Sequence, residues 1–516
     1  MAKQKSKESA GIALCFSGGG YRAAAFHTGV LAYLNHIQLL PQVEILSTVS
    51  GGTLAGLAYA RSLKKKKRFE EFYKNFCEFL TNVNLVKLSF ANIGRKSESE
   101  LGFQDLITSI ADVYDEKLFF GDRFELFWQK PAIHLQEIIF NATEFKTGID
   151  FRFQKSRSDK ARMGNGNVNI SLKDAQKIRL ADIAAASSCF PGGFEPLAFP
   201  HDFRWPNNEI PQSFTEKFSK ALPLMDGGIY DNQGIDAALL AIKRNKKEIG
   251  MFIISDTDKK VEDLFTFHKR KSTLSFSLNT VNRILLTLMV LAIFCSFALL
   301  GHLWYSLIHS GEWMLSLLVY GFTVTVLGSM AYGIYWLRHK IKIEVFSRIP
   351  RIHLAAWSEI KHLTVDQVID MAALRVTSLF TLASSVFMKR IRSLVFAHVY
   401  NDGQYEHKRV SNLIYELDGT KHYRTAWLMP SDEMQKITCC ATTMPTTLWF
   451  DDAADLQKLI ACGEYSICYN LTDYILRRYG QQKSKYPDHV KELFIGLVED
   501  WKKFESNPMM MAREVY

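Results

Sequence analysis

Three short runs of this sequence hold residues whose types and spacing can do chemistry. Ser47-Thr48-Val49-Ser50-Gly51-Gly52 places a serine where an apolar run ends and helix-compatible spacing begins, with a glycine two residues on. Small neighbours permit the sharp strand-to-helix turn that exposes a hydroxyl as an acyl-transfer nucleophile, although Thr48 stands where G-x-S-x-G has its first glycine. A simple Ser/Gly helix cap uses the same residues. Ser17-Gly18-Gly19-Gly20-Tyr21-Arg22 follows another apolar run. Its glycines let backbone N–H groups converge, and a helix start adds a positive dipole, so the turn can hold a phosphate or a tetrahedral oxyanion. Gly18-x-Gly20-x-x-Ala23 also approximates a dinucleotide fingerprint, whereas no Lys-Ser or Lys-Thr follows to make a P-loop. Asp226-Gly227-Gly228, then Asp231-Asn232-Gln233-Gly234, can fix a carboxylate on a tight loop, or can be an ordinary turn.

The elements that must position these residues are legible around them. Ile12 to Phe16 reads as a strand and Arg22 to Leu40 as a helix stopping before Pro41. Val43 to Val49 reads as a second strand and Thr53 to Leu63 as a second helix. Two strand–glycine turn–helix units predict an α/β layered fold, with further strands at Met251 to Ser255 and Asn412 to Leu417.

Taken together and in this order, the three runs resemble the patatin-like phospholipase family. Ala186-Ser187-Ser188-Cys189-Phe190-Pro191-Gly192-Gly193-Phe194-Glu195-Pro196 is similar to that family's alanine-serine…proline segment. The resemblance covers residues 9 to 260 well and continues loosely to a terminal helical stretch at Ile437 to Leu471. It implies a three-layer α/β/α sandwich and a phospholipase A-type lipid acyl hydrolase, with Ser50 as nucleophile and Asp226 as its base. The N–H groups of Gly18, Gly19 and Gly20 would form the oxyanion hole, one such donor being worth about 3–4 kcal/mol. Arg22 either aids the oxyanion turn or holds it through a salt bridge, and the supporting structural role is preferred. No cofactor and no metal are expected. A triad would need a histidine after Asp226; His268, His353, His362, His398, His407, His422 and His489 are read as surface or packing residues. Ala23 and Thr48 depart from the family pattern but are small. The competing readings are a neutral-lipid lipase or lysophospholipase, a catalytically silent membrane-tethered binding protein, and a dinucleotide-binding protein.

Composition fits a globular chain: 516 residues, 47% hydrophobic and 22% charged. The net charge of +10 favours an anionic partner. Lys64-Lys65-Lys66-Lys67-Arg68 reads as a solvated run able to meet anionic headgroups, and no aromatic-interleaved basic motif suggests nucleic acid. Eight scattered cysteines are expected to be reduced thiols. Met1 to Ala10 lacks an apolar core, so no cleaved signal peptide is expected.

Ile284 to Ser310 and Trp313 to Leu337 contain no formally charged residue, and each is long enough to cross a bilayer. Only a short polar turn, His309-Ser310-Gly311-Glu312, separates them. Lys269-Arg270-Lys271 and Arg283 precede the pair; Arg338, His339, Lys340 and Lys342 follow it. Basic flanks favour the cytoplasmic side, and Trp304, Tyr305, Trp313, Tyr335 and Trp336 suit interfacial belts. The competing reading is a helical pair buried in a soluble core. The expected organisation is therefore residues 1–272 as the first catalytic part, 273–342 as a transmembrane hairpin with spans of about 284–308 and 313–337, and 343–516 as a mainly helical completion. This makes a two-pass membrane protein with its catalytic domain on the cytoplasmic side, acting on membrane phospholipid. Homo-oligomerisation is left open.

Overall fold

The computed structural model describes residues 11–93, 105–258, 276–309, 313–340 and 362–513, apart from 219, 247, 483 and 485. The expected turn at 310–312, the basic residues Lys269, Arg270, Lys271 and Lys342, and His268 and His353 lie outside the described residues. The chain forms two compact units, Met1–Leu264 with Leu382–Tyr516, and Phe265–Thr381. The inserted unit thus runs well past residue 342, where the expected hairpin ends.

The first unit is built on a ten-stranded mixed sheet. In chain order its strands are β1 (Gly11–Phe16), β2 (Val43–Val49), β3 (Glu137–Glu144), β4 (Ile149–Lys155), β5 (Met163–Gly164), β6 (Asn169–Ile170), β7 (Leu197–Phe199), β8 (Leu222–Asp226), β9 (Ile249–Asp256) and β10 (Arg409–Leu413). The main path is β10-β9-β1-β2-β3-β4-β5-β6, parallel from β10 to β3 and antiparallel beyond. β8 joins β3 antiparallel, and β7 joins β8. Strand β1 is buried along its whole length, which is why it reads as an unbroken apolar run rather than an alternation.

Alternate residues of β1 enter different cores. Ile12, Leu14 and Phe16 join one cluster, and Ala13 and Cys15 the other, so helices must cover both faces. The first face carries α1 (Gly20–His36) and α2 (Gly51–Lys64), with α3 (Leu180–Ser188) beside them. The second carries α4 (Ile235–Asn245). The inserted unit contributes α5 (Leu278–His309), α6 (Trp313–Lys340) and α7 (Val365–Thr381). After it come α8 (Phe387–Tyr400), α9 (Asp432–Thr443) and α10 (Ala453–Tyr479). Helix α8 puts Val395 and Val399 into the second core, and α10 packs along α1 in the first. The expected three-layer α/β/α sandwich is therefore the architecture, and its sheet and both cores need chain from after the insert.

Several boundaries differ from the sequence reading for local reasons. Helix α1 ends at His36, because Pro41 sits in a separate 3-10 turn, Leu40–Gln42. Strand β10 lies earlier than 412–417; the chain turns at its end, with the Glu416 N–H donating to the Leu413 carbonyl at 3.0 Å. The terminal helical stretch is two helices, α9 and α10, divided at residues 444–452. Lys64 is not solvated: it is buried, and its ammonium donates to the carbonyls of Gln129 and Pro131, the latter at 2.8 Å.

In the inserted unit, α5 and α6 are each long and apolar enough to cross a membrane. Their large apolar side chains, among them Phe294, Phe297, Trp304 and Phe322, are exposed rather than packed in a core. That argues against the buried-pair reading. The starts of α5 and α7 are stitched together: Leu278 N–H donates to the Leu363 carbonyl at 2.9 Å and Val365 N–H to the Phe276 carbonyl at 3.0 Å.

Candidate active site

Ser50 follows the last residue of β2 and caps α2 with φ 51° and ψ −121°. A positive φ at a non-glycine residue costs roughly 1–3 kcal/mol and persists only where neighbours enforce it. Here they do. The Ser50 N–H donates to the Ser187 hydroxyl at 3.0 Å, and its carbonyl accepts the N–H groups of Thr53 and Leu54. Ser187 in turn donates to the Asn141 carbonyl at 2.7 Å and lies 2.8 Å from the Thr53 hydroxyl. A side chain on Gly51 would sit 2.0 Å from the Gly20 carbonyl oxygen, so the elbow and the glycine turn touch through backbone alone. Thr48 is accommodated because Gly56 leaves room: a Cβ there would lie 2.6 Å from the Thr48 methyl.

Asp226 ends β8 and is buried. Its Oδ1 accepts the Gly228 N–H at 2.7 Å. Burial pushes the carboxyl up to about 6, while the Ser50 hydroxyl, the Gly228 N–H and the charge of Arg392 pull it back down. The alanine-serine segment clamps this strand end as well as the elbow. Asp226 N–H donates to the Cys189 carbonyl at 2.9 Å, and Gly227 N–H to the Ser187 carbonyl at 3.4 Å.

The glycine turn lies against both. Gly19 (φ 143°) caps α1, whose first residue is Gly20 (φ 58°), conformations that favour glycine. Gly18, the first of the three expected donors, spends its N–H on Asn232, 3.0 Å from the carbonyl and 3.2 Å from Oδ1. Among the described residues no such acceptor pairs with the N–H of Gly19 or Gly20. Arg22 is buried. Its guanidinium donates to the carbonyls of Met444 and Thr257, each at 3.0 Å, and of Thr442 at 3.3 Å, tying the start of α1 to the ends of β9 and α9.

These residues share one cavity of about 760 Å³. Gly18, Gly19, Gly20, Ser50, Gly51 and Asp226 form its polar floor. Leu54, Val86, Phe90, Leu106, Phe194 and Trp449 make much of its wall. Among the described residues that line it there is no histidine. His398 meets Asp236 at 3.0 Å on the surface instead.

Two residues without a signal of their own in the sequence, His27 and Thr257, and one from the marked loop, Asp231, complete the site. His27 lies beneath the glycine turn, 3.1 Å from both the Ser17 carbonyl and the Ser255 hydroxyl; burial lowers it to about 3, so it is a neutral strut. Thr257 donates to the Gly18 carbonyl at 2.9 Å. Asp231 accepts three backbone N–H groups, from Gln233, Gly234 and Asp236, and fixes the loop carrying Asn232. The run around Asn232 and Gln233 was visible as polar and glycine-bearing, but not its grip on Gly18.

An α/β sandwich thus brings a strained serine turn, a glycine turn and a buried aspartate to one cavity. The family model described as patatin-like phospholipase matches residues 14–239, a little under half of the chain. No curated protein matched the chain. The matched segment ends before β9, yet β9 and β10 continue the same sheet.

Proposed function

We propose that this protein is a serine-dependent, phospholipase A-type acyl hydrolase of membrane lipids. The observation that carries the reading is the meeting of Ser50, Asp226 and two helix N-termini in one apolar-walled cavity. Ser50 attacks the ester carbonyl, and its proton passes to Asp226. A carboxylate with a pKa near 6 is ionised at neutral pH yet more basic than an ordinary one. The oxyanion takes N–H bonds from Gly19 and Gly20 at the start of α1 and from Gly51 at the start of α2, with Gly18 shaping the turn. On collapse Asp226 returns the proton to the leaving alcohol, giving a lysolipid and an acyl-enzyme. Water, deprotonated by Asp226, then attacks the acyl-enzyme, and on collapse Asp226 returns that proton to Ser50 as the fatty acid leaves. Arg22 holds the turn and takes no part in proton transfer.

Helices α5 and α6 are read as a two-pass hairpin with the catalytic unit on the cytoplasmic side. The 32 residues of α5 span about 48 Å, more than a hydrocarbon core requires. Two spans return the chain to the side it left, as a sheet completed by β10 demands. Lipidomics of cells expressing wild type or Ser50→Ala tests the function. Accumulation of lysolipid and fatty acid with wild type alone supports it, and equal profiles overturn it.

A further inference from the structure

Helix α8 is the first helix of the catalytic unit after the insert, and it reaches the cavity. Met388, Lys389 and Arg392 line it, at the spacing of one helical face. Val395 and Val399, one and two turns on, are buried in the second core and fix the rotation of the helix. Met388 packs on the aspartate loop, where a Cβ on Gly228 would lie 2.9 Å from its terminal methyl.

The Arg392 guanidinium pairs with Asp258 and lies 3.8 Å from Asp256. Asp256 accepts the Gln233 side-chain amide at 2.7 Å and the Asp258 N–H at 3.1 Å. Between the two carboxylates, Thr257 holds the Gly18 carbonyl and accepts from Arg22. Gln233 adjoins Asn232, which holds the Gly18 N–H. One tripeptide, Asp256-Thr257-Asp258, thus joins Arg392 to the glycine turn on one side and to the aspartate loop on the other.

We infer that Arg392 is a positioning residue for the proposed reaction, holding the glycine turn and the Asp226 loop together from the first helix after the insert. The inference rests on the Ser50–Asp226 reading above. A guanidinium suits the task because it stays charged and spans two carboxylates at once. It is also the cation that favours the ionised form of Asp226. The other groups acting on that carboxyl are the Ser50 hydroxyl and Gly228 N–H, which bond it, and Tyr114 and Cys189, which burial keeps protonated. Docking of α8, the helix that the insert leads into, is therefore a condition for an active site.

The test is the pH profile of kcat/KM for purified full-length protein in detergent–phospholipid mixed micelles. In Arg392→Gln the acid limb should move up by about half to one pH unit. The loss should then be roughly 2- to 5-fold greater at pH 6 than at pH 8.5. Arg392→Lys, which keeps the charge, should restore most of the wild-type profile, and Arg392→Met gives a second neutral variant should Gln fold poorly. An equal loss at every pH, or an unchanged profile, overturns the inference. Ser50→Ala, run in parallel, separates the two readings. If it stays active the dyad fails; if it is dead while the Arg392→Gln limb stays in place, only the role of Arg392 fails.

Discussion

Ser50 and Asp226 meet because one strand receives both of their strands in sequence. Val49, immediately before Ser50, pairs with Asn141, and Asp226 pairs with the next residue of β3, Ala142. Strand β2 runs parallel to β3 and β8 runs antiparallel, so their carboxyl ends face each other across that step. Ser187 closes the gap, accepting from Ser50 and donating to Asn141.

Ser50→Ala and Asp226→Asn should each lower esterase turnover by roughly a thousand-fold or more while leaving the fold intact. The double variant should be little worse than either, because a unit lost once is not lost again. Turnover of a fluorogenic ester and labelling by a fluorophosphonate check this. Additive losses would mean the two residues do not act as a unit.

Asp226 also carries a stability signature. Its folded pKa, about 6, lies above the ordinary 3.8, so the fold prefers the protonated carboxyl. That contribution is full below about pH 4 and is lost as pH rises through 6. Asp226→Asn should therefore be more stable than wild type at pH 8, by up to about 3 kcal/mol, with the gain vanishing near pH 4. Thermal melts at the two pH values measure it. The wild-type activity should fall below pH 6 as the base becomes protonated.

Ser187→Ala should weaken the elbow without touching the nucleophile. It leaves the Ser50 N–H and the Asn141 carbonyl without this partner, at a cost of about 2–3 kcal/mol. The expected result is a lower melting temperature and a reduced kcat, with Ser50 still labelled by fluorophosphonate. An unchanged kcat would show that the strained turn holds by itself.

Gly19→Val tests the oxyanion turn. Gly19 has φ 143°, and an added Cβ would lie 2.7 Å from the Thr257 hydroxyl. Turnover should fall roughly a hundred-fold with little change in KM, the cost of losing one oxyanion donor. Wild-type kcat in a folded variant would remove Gly19 from the proposed hole.

The topology is checked with an epitope placed at Gly311 and others at both termini. In intact cells only the tag at Gly311 should be reachable from outside, and opened membranes should expose all three. Release of the wild-type protein by carbonate without detergent would show that α5 and α6 do not span.

What the sequence determined by itself was whatever local chemistry writes into neighbouring residues. The unbroken apolar run of β1 reported a strand buried on both faces. Glycines beside Ser17 and Ser50 reported turns that side chains would block. The charge-free stretches of α5 and α6 reported helices that no aqueous face constrains. Tertiary structure alone decided which groups are used and which are held. Gly18 looked equivalent to Gly19 and Gly20 until Asn232, far along the chain, took its N–H. Lys64 looked like its solvated neighbours until two carbonyls around Gln129 and Pro131 closed on it. Arg392 sits in a stretch with no motif, and its place at the cavity follows from Val395 and Val399 packing on the far face of the sheet. Hydrogen bonds and ion pairs between distant segments leave no period or spacing in a sequence, because either partner is an ordinary polar residue until the fold supplies the other.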